Sequence, residues 1–515
     1  MSKKFKIAAV IDIGSSAIRM LIAERHVNAW RRLDSLEKKT ELGYDTFSDG
    51  DISREGMLEC LKILDQFIEV LRSWEVPLED VTVIGTTALR QAQNRDVFVD
   101  RVFLRTGLRV RVIEGVEANQ LTYTAVLEAM RESWPKFNQA NSVVIEVSGG
   151  STEVMILHRG SMVASHTFQT GTIKIQQQLK HISGSMGMMS GIIQDNMSHT
   201  LDIFEHDYPL KKIRHFVALG SELRHLAASI GVRNNKLWEI EVSKFEELMR
   251  RLSVMSNDQI AHKYNIPLND AISLLPLCTV YQSLLERTAA KVILVPDVSI
   301  RDGVLISMVQ KGKESKRKFK SQVIASAKSL GKKFLYDETH ANFVTKNAKI
   351  LFDALKKDHV LTDRHRLLLE VASILHDIGS FINQSAHHKH GYYIIRNSEI
   401  FGLNNEDINI ISHVVRYHRK ALPVSYHTEF IGLERDVRVI IMKLAAILRV
   451  ADSLDSGHSQ RVSVLKVDYD EENFKIFAEG IGEKSLEVMS LNNKADLFEE
   501  VYGLKVIVSG RSSLF

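Results

Sequence analysis

Apolar positions follow two different rhythms along this chain. Up to about residue 308, short runs rich in Val and Ile recur at 7–11, 81–85, 110–114, 142–147, 216–219 and 292–295. Between them lie stretches with apolar residues three or four apart, such as 56–73 and 117–131. Brief continuous runs are what buried strands look like, and their alternation with helical stretches predicts an α/β architecture. Residues 311–320, reading Lys-Gly-Lys-Glu-Ser-Lys-Arg-Lys-Phe-Lys, carry no apolar period and read as a basic linker. From 323 to 454 nearly everything has helical periodicity, and from Val462 onward a strand-like alternation returns, predicting a small closing sheet. A chain of 515 residues is too long for one core and should divide into several domains.

One pattern occurs twice. Val10-Ile11-Asp12-Ile13-Gly14-Ser15-Ser16-Ala17 matches Val144-Ile145-Glu146-Val147-Ser148-Gly149-Gly150-Ser151 at a constant offset of 134 residues, from Asp12 to Glu146. In each copy two apolar residues lead into an acid, a small-residue turn follows, and a second apolar run closes the unit. This is a β-hairpin with a Gly/Ser tip. Such tips let backbone N–H groups come close to an anion, and the hydroxyls add donors. An ordinary hairpin can carry the same residues; recurrence in one register favours two tips gripping a phosphate. Gly14, Ser15, Gly149, Gly150 and Ser151 are then the phosphate-binding candidates, and the strand acids Asp12 and Glu146 would hold Mg²⁺ or orient a water.

Charge narrows the options only slightly. With 67 Lys+Arg against 63 Asp+Glu the net charge is +4, too mild to imply nucleic acid. Cys60 and Cys278 are the only cysteines, which excludes a disulfide framework or thiolate metal cage and favours a reducing compartment. The run 7–11 is stopped by Asp12 and is too short for a signal peptide. No uncharged apolar stretch reaches the length of a membrane span. A cytoplasmic protein without membrane partners is expected. The basic run could also guide a polyanion, although solvated linkers more often look this way.

Five elements occur in a telling order: Asp12-Ile13-Gly14-Ser15 with Arg19; Gly85-Thr86-Thr87-Ala88-Leu89-Arg90; Ile113-Glu114-Gly115-Val116-Glu117; Gly149-Gly150-Ser151-Thr152-Glu153; and Asp297-Val298-Ser299-Ile300-Arg301-Asp302-Gly303. In these the chain resembles the exopolyphosphatase / guanosine pentaphosphate phosphohydrolase (Ppx/GppA) family. The resemblance implies a duplicated two-lobed actin/sugar-kinase-like fold, with lobes at 1–124 and 125–308. It also implies Mg²⁺-dependent removal of a terminal phosphate from inorganic polyphosphate or guanosine pentaphosphate. Arg19 would belong to the first phosphate loop and Arg90 would bind substrate, while long members of the family suggest a homodimer. There are departures. The family has two adjacent glutamates where this chain reads Glu117-Ala118, and the second is its catalytic base. Glu146 replaces an aspartate, Ser16 an asparagine, and Gly220-Ser221-Glu222-Leu223 stands for a Gly-x-x-Gly-Thr element. The catalytic candidates are therefore Glu117, Glu146, Glu153 and Arg90, although successive helix residues point about 100° apart and Glu117 would not simply replace its neighbour.

A second candidate site lies in the helical part. Residues 367–379 read as a deeply packed helix ending at Gly379, yet they carry His376 and Asp377. Burying an imidazole and a carboxylate is costly unless they are paired or bind a metal. Asp452 lies near the end of a second apolar helix and His340 opens the region. Together His340, His376, Asp377 and Asp452 resemble the metal ligands of HD phosphohydrolases. This implies an all-helical HD-like domain at 321–460, a small α+β tail at 461–515, and a divalent transition metal. His387, His388, His390, His413 and His418 are either packing residues and solvated loop, or further ligands. Three functions remain open: an exopolyphosphatase-type phosphohydrolase, a degenerate polyphosphate- or alarmone-binding clamp with chemistry moved to the HD-like domain, and a non-enzymatic relay to a partner.

Overall fold

The computed structural model describes residues 6–510 apart from 27–28, 133, 180–185, 310–312, 356–360, 420–421, 425–426 and 483–484. The chain divides into two compact units, Met1–Arg317 and Lys318–Phe515.

The first unit holds two sheets. One contains β1 (Ile7–Ile13), β2 (Ala17–Arg25), β3 (Trp30–Lys39), β4 (Val81–Gly85) and β5 (Val110–Val112), in the order β3-β2-β1-β4-β5. The other contains β6 (Asn141–Val147), β7 (Thr152–His158), β8 (Ser161–Phe168), β9 (Ile213–Leu219), β10 (Val232–Asn234), β11 (Leu237–Glu241) and β12 (Val292–Pro296), in the order β10-β11-β12-β9-β6-β7-β8. The six apolar runs are thus all strands. The central ones read as continuous apolar stretches because helices cover both of their faces. The duplicated motif is a duplicated hairpin. β1 pairs antiparallel with β2, setting Asp12 opposite Arg19, and β6 pairs with β7, setting Glu146 opposite Glu153. The helix Arg54–Ser73 starts where the Ser53 hydroxyl accepts from the Gly56 amide at 3.0 Å.

The helix Gly115–Ala129 runs unbroken through the lobe border expected at 124/125. The helix Ile300–Val309 packs against it, and Ile300, Val304 and Leu305 share a core with Val10, Leu21, Ile113 and Leu121. The end of the second lobe therefore returns to the first lobe's sheet, which stations residues 298–301 beside β1.

In the second unit, the helices Glu338–Ala354, Asp363–Leu375, His387–Arg396, Asn405–Arg416 and Arg435–Ser453 surround one core. The tail forms β13 (Ser463–Tyr469), β14 (Asn473–Glu479) and β15 (Lys505–Ser509), an ordered sheet with β14 in the middle. Phe474, Ile476 and Phe498 from this tail lie in the same core as Leu444 and Leu448, so the tail completes the helical unit.

Two sequence expectations are corrected. The basic run is a helix, Lys313–Lys333, with 311–312 outside the described residues. Within the run only Phe319 packs on the core, and Val323 and Ala327 follow beyond it, so the ten-residue window showed no period. The helix expected at 367–379 ends at Leu375; Asp377 lies in the turn before the short 3₁₀ segment Ile378–Phe381.

Candidate functional site

In the first unit both hairpin tips face a single cavity of about 550 Å³. Asp12, Gly14, Ser15, Arg19, Glu146, Gly149 and Glu153 all line it, as the duplication predicts. The second tip is held from behind. The amides of Thr172 and Ile173, opening the helix Thr172–Leu179, donate to the carbonyls of Ser148 and Gly149 at 2.9 Å each.

Buried acids dominate the electrostatics. Burial raises the Asp12 carboxyl against the opposing pull of Arg19 and Arg301, and its Oδ1 has no hydrogen-bond partner. Burial also raises Glu146, which accepts from the Thr122 hydroxyl at 3.1 Å. Glu153 is pushed up to about 7, first by burial and then by the charge of Glu146, although the Ser151 hydroxyl donates to it at 2.6 Å. Three acids on two hairpins thus compete for cationic partners.

Three cations that line the cavity were not singled out from the sequence. Arg301, Arg224 and Lys39 line the cavity with Arg19. Arg301 is buried; its Nε has no hydrogen-bond partner, and burial lowers the guanidinium to about 10. It lay inside the quoted 297–303 motif, but nothing in a linear motif indicates which side chain faces a cavity. Arg19 is held by Glu37 at 3.1 Å and by the Ser221 hydroxyl at 3.3 Å. Gly220 adopts φ +144°, a conformation reserved for glycine, just before Ser221 and Glu222, both of which line the cavity.

Four candidates stand elsewhere than expected. Ser151 is buried and turns its hydroxyl to Glu153, while Gly150 packs against Phe47 and Thr87. Neither lines the cavity. Arg90 sits behind the wall, donating to the Ile113 carbonyl at 3.1 Å and to the Thr87 hydroxyl at 3.3 Å. Glu117 is turned outward onto Arg111, and Ala118 takes the cavity-facing position beside Asn119 and Thr122. The reason is helical geometry: residues 118, 119 and 122 share a face that 117 does not.

The second unit gathers the other candidates. His340 sits in the first turn of its helix, His376 directly follows Asp363–Leu375 and Asp452 lies near the end of Arg435–Ser453; the two histidines each meet both Asp377 and Asp452. His340 Nε2 lies 3.1 Å from His376 Nε2, 3.5 Å from Asp452 Oδ1 and 3.8 Å from Asp377 Oδ2. His376 Nε2 lies 3.6 Å from that same Asp377 oxygen. Each imidazole is oriented from behind, His340 Nδ1 on Asp455 at 2.8 Å and His376 Nδ1 on the Ser373 carbonyl at 2.8 Å. Burial works against protonating His376, but Asp377 and Asp452 push it up to about 9. Asp452 is held well below the usual carboxylate range: burial opposes this, and Lys494, 2.6 Å away, prevails. Of the remaining histidines, His387 and His418 join Asp377, whereas His413 packs between Tyr392 and Phe430. Gly379 is needed here because any Cβ would strike the His387 carbonyl and the Gly391 amide.

A duplicated α/β clamp with paired acidic hairpins matches the model of the Ppx/GppA phosphatase family over residues 21–312, more than half the chain. The chain belongs to the Ppx/GppA phosphatase family. Within the Ppx/GppA enzymes the second unit has a counterpart too, since the model of their domain III matches residues 324–499. Two Ppx/GppA relatives carry the name guanosine-5'-triphosphate,3'-diphosphate pyrophosphatase. One, from Photobacterium profundum, is 22% identical over 442 residues, covering 85% of this chain and 86% of its own. The other, from Pseudoalteromonas atlantica, is 23% identical over 465 residues, covering 86% of each. Among solved structures, an exopolyphosphatase from Cytophaga hutchinsonii superposes with TM-score 0.53 at 20% identity, covering 60% of this chain and 99% of its own. An exopolyphosphatase-like protein gives 0.51 at 17% identity, covering 59% and 98%. These likenesses establish the two-lobed fold. As a Ppx/GppA member the protein is a phosphoanhydride hydrolase. Among the described residues, no helix is long and apolar enough to cross a membrane.

Proposed function

We propose that the cavity between the two hairpins removes a terminal phosphate from inorganic polyphosphate or guanosine pentaphosphate, with Glu153 as the proton acceptor. The observation that carries this reading is the convergence of Asp12, Glu146 and Glu153 on one cavity that Arg301, Arg224 and Lys39 also line. Hydrolysis of a phosphoanhydride needs positioning, positive charge and a carboxylate to take the water's proton. Asp12, with its buried unpartnered oxygen, and Glu146 suit a hard divalent cation, so they would hold Mg²⁺. Bound there, Mg²⁺ would neutralise charge on the phosphate oxygens. Arg19, Arg224 and Arg301 would draw in the chain end, and backbone groups of the Gly14–Ser15 and Ser148–Gly149 tips would meet its oxygens.

Ala118 has no group that can accept a proton, and Glu117 is committed to Arg111. Glu153 lines the cavity, and burial with the charge of Glu146 pushes its carboxyl up to about 7, the range that suits a general base. It would take the proton as water adds to the terminal phosphorus and the P–O–P bond opens. The Ser151 hydroxyl fixes its orientation, and Arg90, through Thr87 and its charge, is a positioning residue. Phosphate release from long-chain polyphosphate and from guanosine pentaphosphate, with Mg²⁺, tests the reading. Asp12→Asn should lose most of the rate on the true substrate; an unimpaired variant would place the chemistry elsewhere.

A separate observation supports an HD-like metal site in the second unit. His340 and His376 direct their Nε2 atoms at one point, and Asp377 and Asp452 supply carboxylate oxygens beside it. With both Nδ1 atoms engaged behind, the four residues would hold one first-row divalent ion. Metal content of the purified protein should fall when Asp452 is changed to Ala.

A further inference from the structure

A groove of about 490 Å³ in the second unit shares no lining residue with either candidate site. Three helices form it. Lys313–Lys333 contributes Ile324 and Lys328, Glu338–Ala354 contributes Thr345, Lys346, Lys349 and Ile350, and Asp363–Leu375 contributes Arg366 and Glu370. Residues three or four apart share a helix face, which is how charge and isoleucine reach the same groove. Lys328, Lys346, Lys349 and Arg366 are set against two acids, Asp353 and Glu370, so positive charge is in excess. That charge is held in position. Glu370 is buried, with Lys320 Nζ at 2.5 Å, Lys349 Nζ at 3.5 Å and an Arg366 nitrogen at 4.0 Å. Arg366 also donates to both Asp353 oxygens, at 2.7 and 2.6 Å, and Lys328 donates to the Asn342 side-chain oxygen at 2.9 Å. Lys346 is exposed and has no ion pair among the described residues. Thr345 is 8% exposed, and among the described residues its hydroxyl has no hydrogen-bond partner. An unpaired buried hydroxyl is costly, and an oxygen entering the groove would relieve it.

We infer that this groove binds a nucleoside di- or triphosphate, its base against Ile324 and Ile350 and its phosphates on the lysines and Arg366. Lysine and arginine are the ordinary partners of phosphate oxygens, and the bonds they make to them are charge-assisted. The volume falls within the range of ligand pockets, about 300–1,000 Å³. The two isoleucines decide the class of ligand, since both line the groove and stay partly exposed. An inorganic phosphate chain would leave them in water, and a purely apolar ligand would leave the cations unmet. A nucleotide covers both. The groove belongs wholly to the second unit, so it stands or falls apart from the reading of the first unit's cavity.

The test is photo-crosslinking of the full-length Asp12→Asn protein with an azido derivative of ATP, the labelled peptides being located by mass spectrometry. Asp12→Asn spares the probe from turnover in the first unit. Saturable labelling of peptides from Lys313–Lys333 or Glu338–Ala354, displaced by unlabelled ATP, is expected. Adding Lys346→Glu or Lys328→Gln should each weaken that labelling by about tenfold or more, the effect of losing one charge-assisted contact. Two variants are used so that misfolding of one does not decide the matter. Label confined to the first unit, or groove labelling that neither variant changes, overturns the site. Tripolyphosphate displacing the label as well as ATP does overturns the nucleoside and leaves an anion site only.

Discussion

Residue 118 faces the phosphate cavity as alanine, while the acid beside it points away. If Glu153 has taken over as base from the opposite hairpin, a carboxylate returned at 118 would sit nearer the face shared with Thr122 and add a second base. Ala118→Glu should then raise the rate of phosphate release, by up to about 10²–10⁴ where general-base assistance limits turnover; initial rates at saturating Mg²⁺ read this directly. Glu153 also leaves a stability signature. Its folded carboxyl sits at about 7 against an ordinary 4.5. Between those values the folded chain holds a proton that the unfolded chain has lost, so stability falls as pH rises through this window. Above pH 7 the cost is on the order of 3 kcal/mol. Glu153→Gln should melt higher than wild type at pH 8 in metal-free buffer and level with it at pH 4.

The hairpins were legible because a strand buried on both faces has no polar residue to spare, and an acid in such a strand stands out. Asp12 and Glu146 were found through the motif that recurs at an offset of 134 residues. Ser151 and Gly150 were misassigned because a Gly/Ser tip does not reveal which of its atoms the next layer covers; Phe47, Thr87 and Glu153 claim them. The helix Thr172–Leu179 was invisible as a partner of the second tip. Gly171 shows how closely it is seated, since a Cβ there would strike the Gly149 carbonyl and the Ser151 amide. Backbone cannot step aside as a side chain can. Gly171→Ala should destabilise the protein by about 1–3 kcal/mol and weaken polyphosphate binding more than it changes the overall helix content; thermal melts and a binding titration check both. The basic run failed as a linker for the opposite reason. Lys320 pairs with Glu370 at 2.5 Å, so the end of the run is tied to the packed helical core, while Lys316, Arg317 and Lys318 are exposed on the same helix.

At the scale of the molecule the chain is two units, each with its own buried acids. The order of motifs revealed the first unit's architecture, whereas Arg301 and Arg224 reached the cavity through helix packing that no local pattern encodes. In the second unit the quartet was legible because imidazole and carboxylate in apolar helices demand a partner, but the pairing of His387 with His418 needed the fold. If His340, His376, Asp377 and Asp452 hold a divalent ion as proposed, chelation should lower the melting of the second unit's transition, as two-transition calorimetry would resolve. The central claim concerns the first unit, that Glu153 replaces the base missing at 118. Its most direct test is the rate of phosphate release from long-chain polyphosphate with Mg²⁺ across pH 5 to about 9, for wild type and Glu153→Gln. The account predicts a wild-type rate that rises with pH as Glu153 gives up its proton, and a variant about 10²–10⁴ slower that lacks this rise. A variant that keeps both the wild-type rate and the same rise would contradict it.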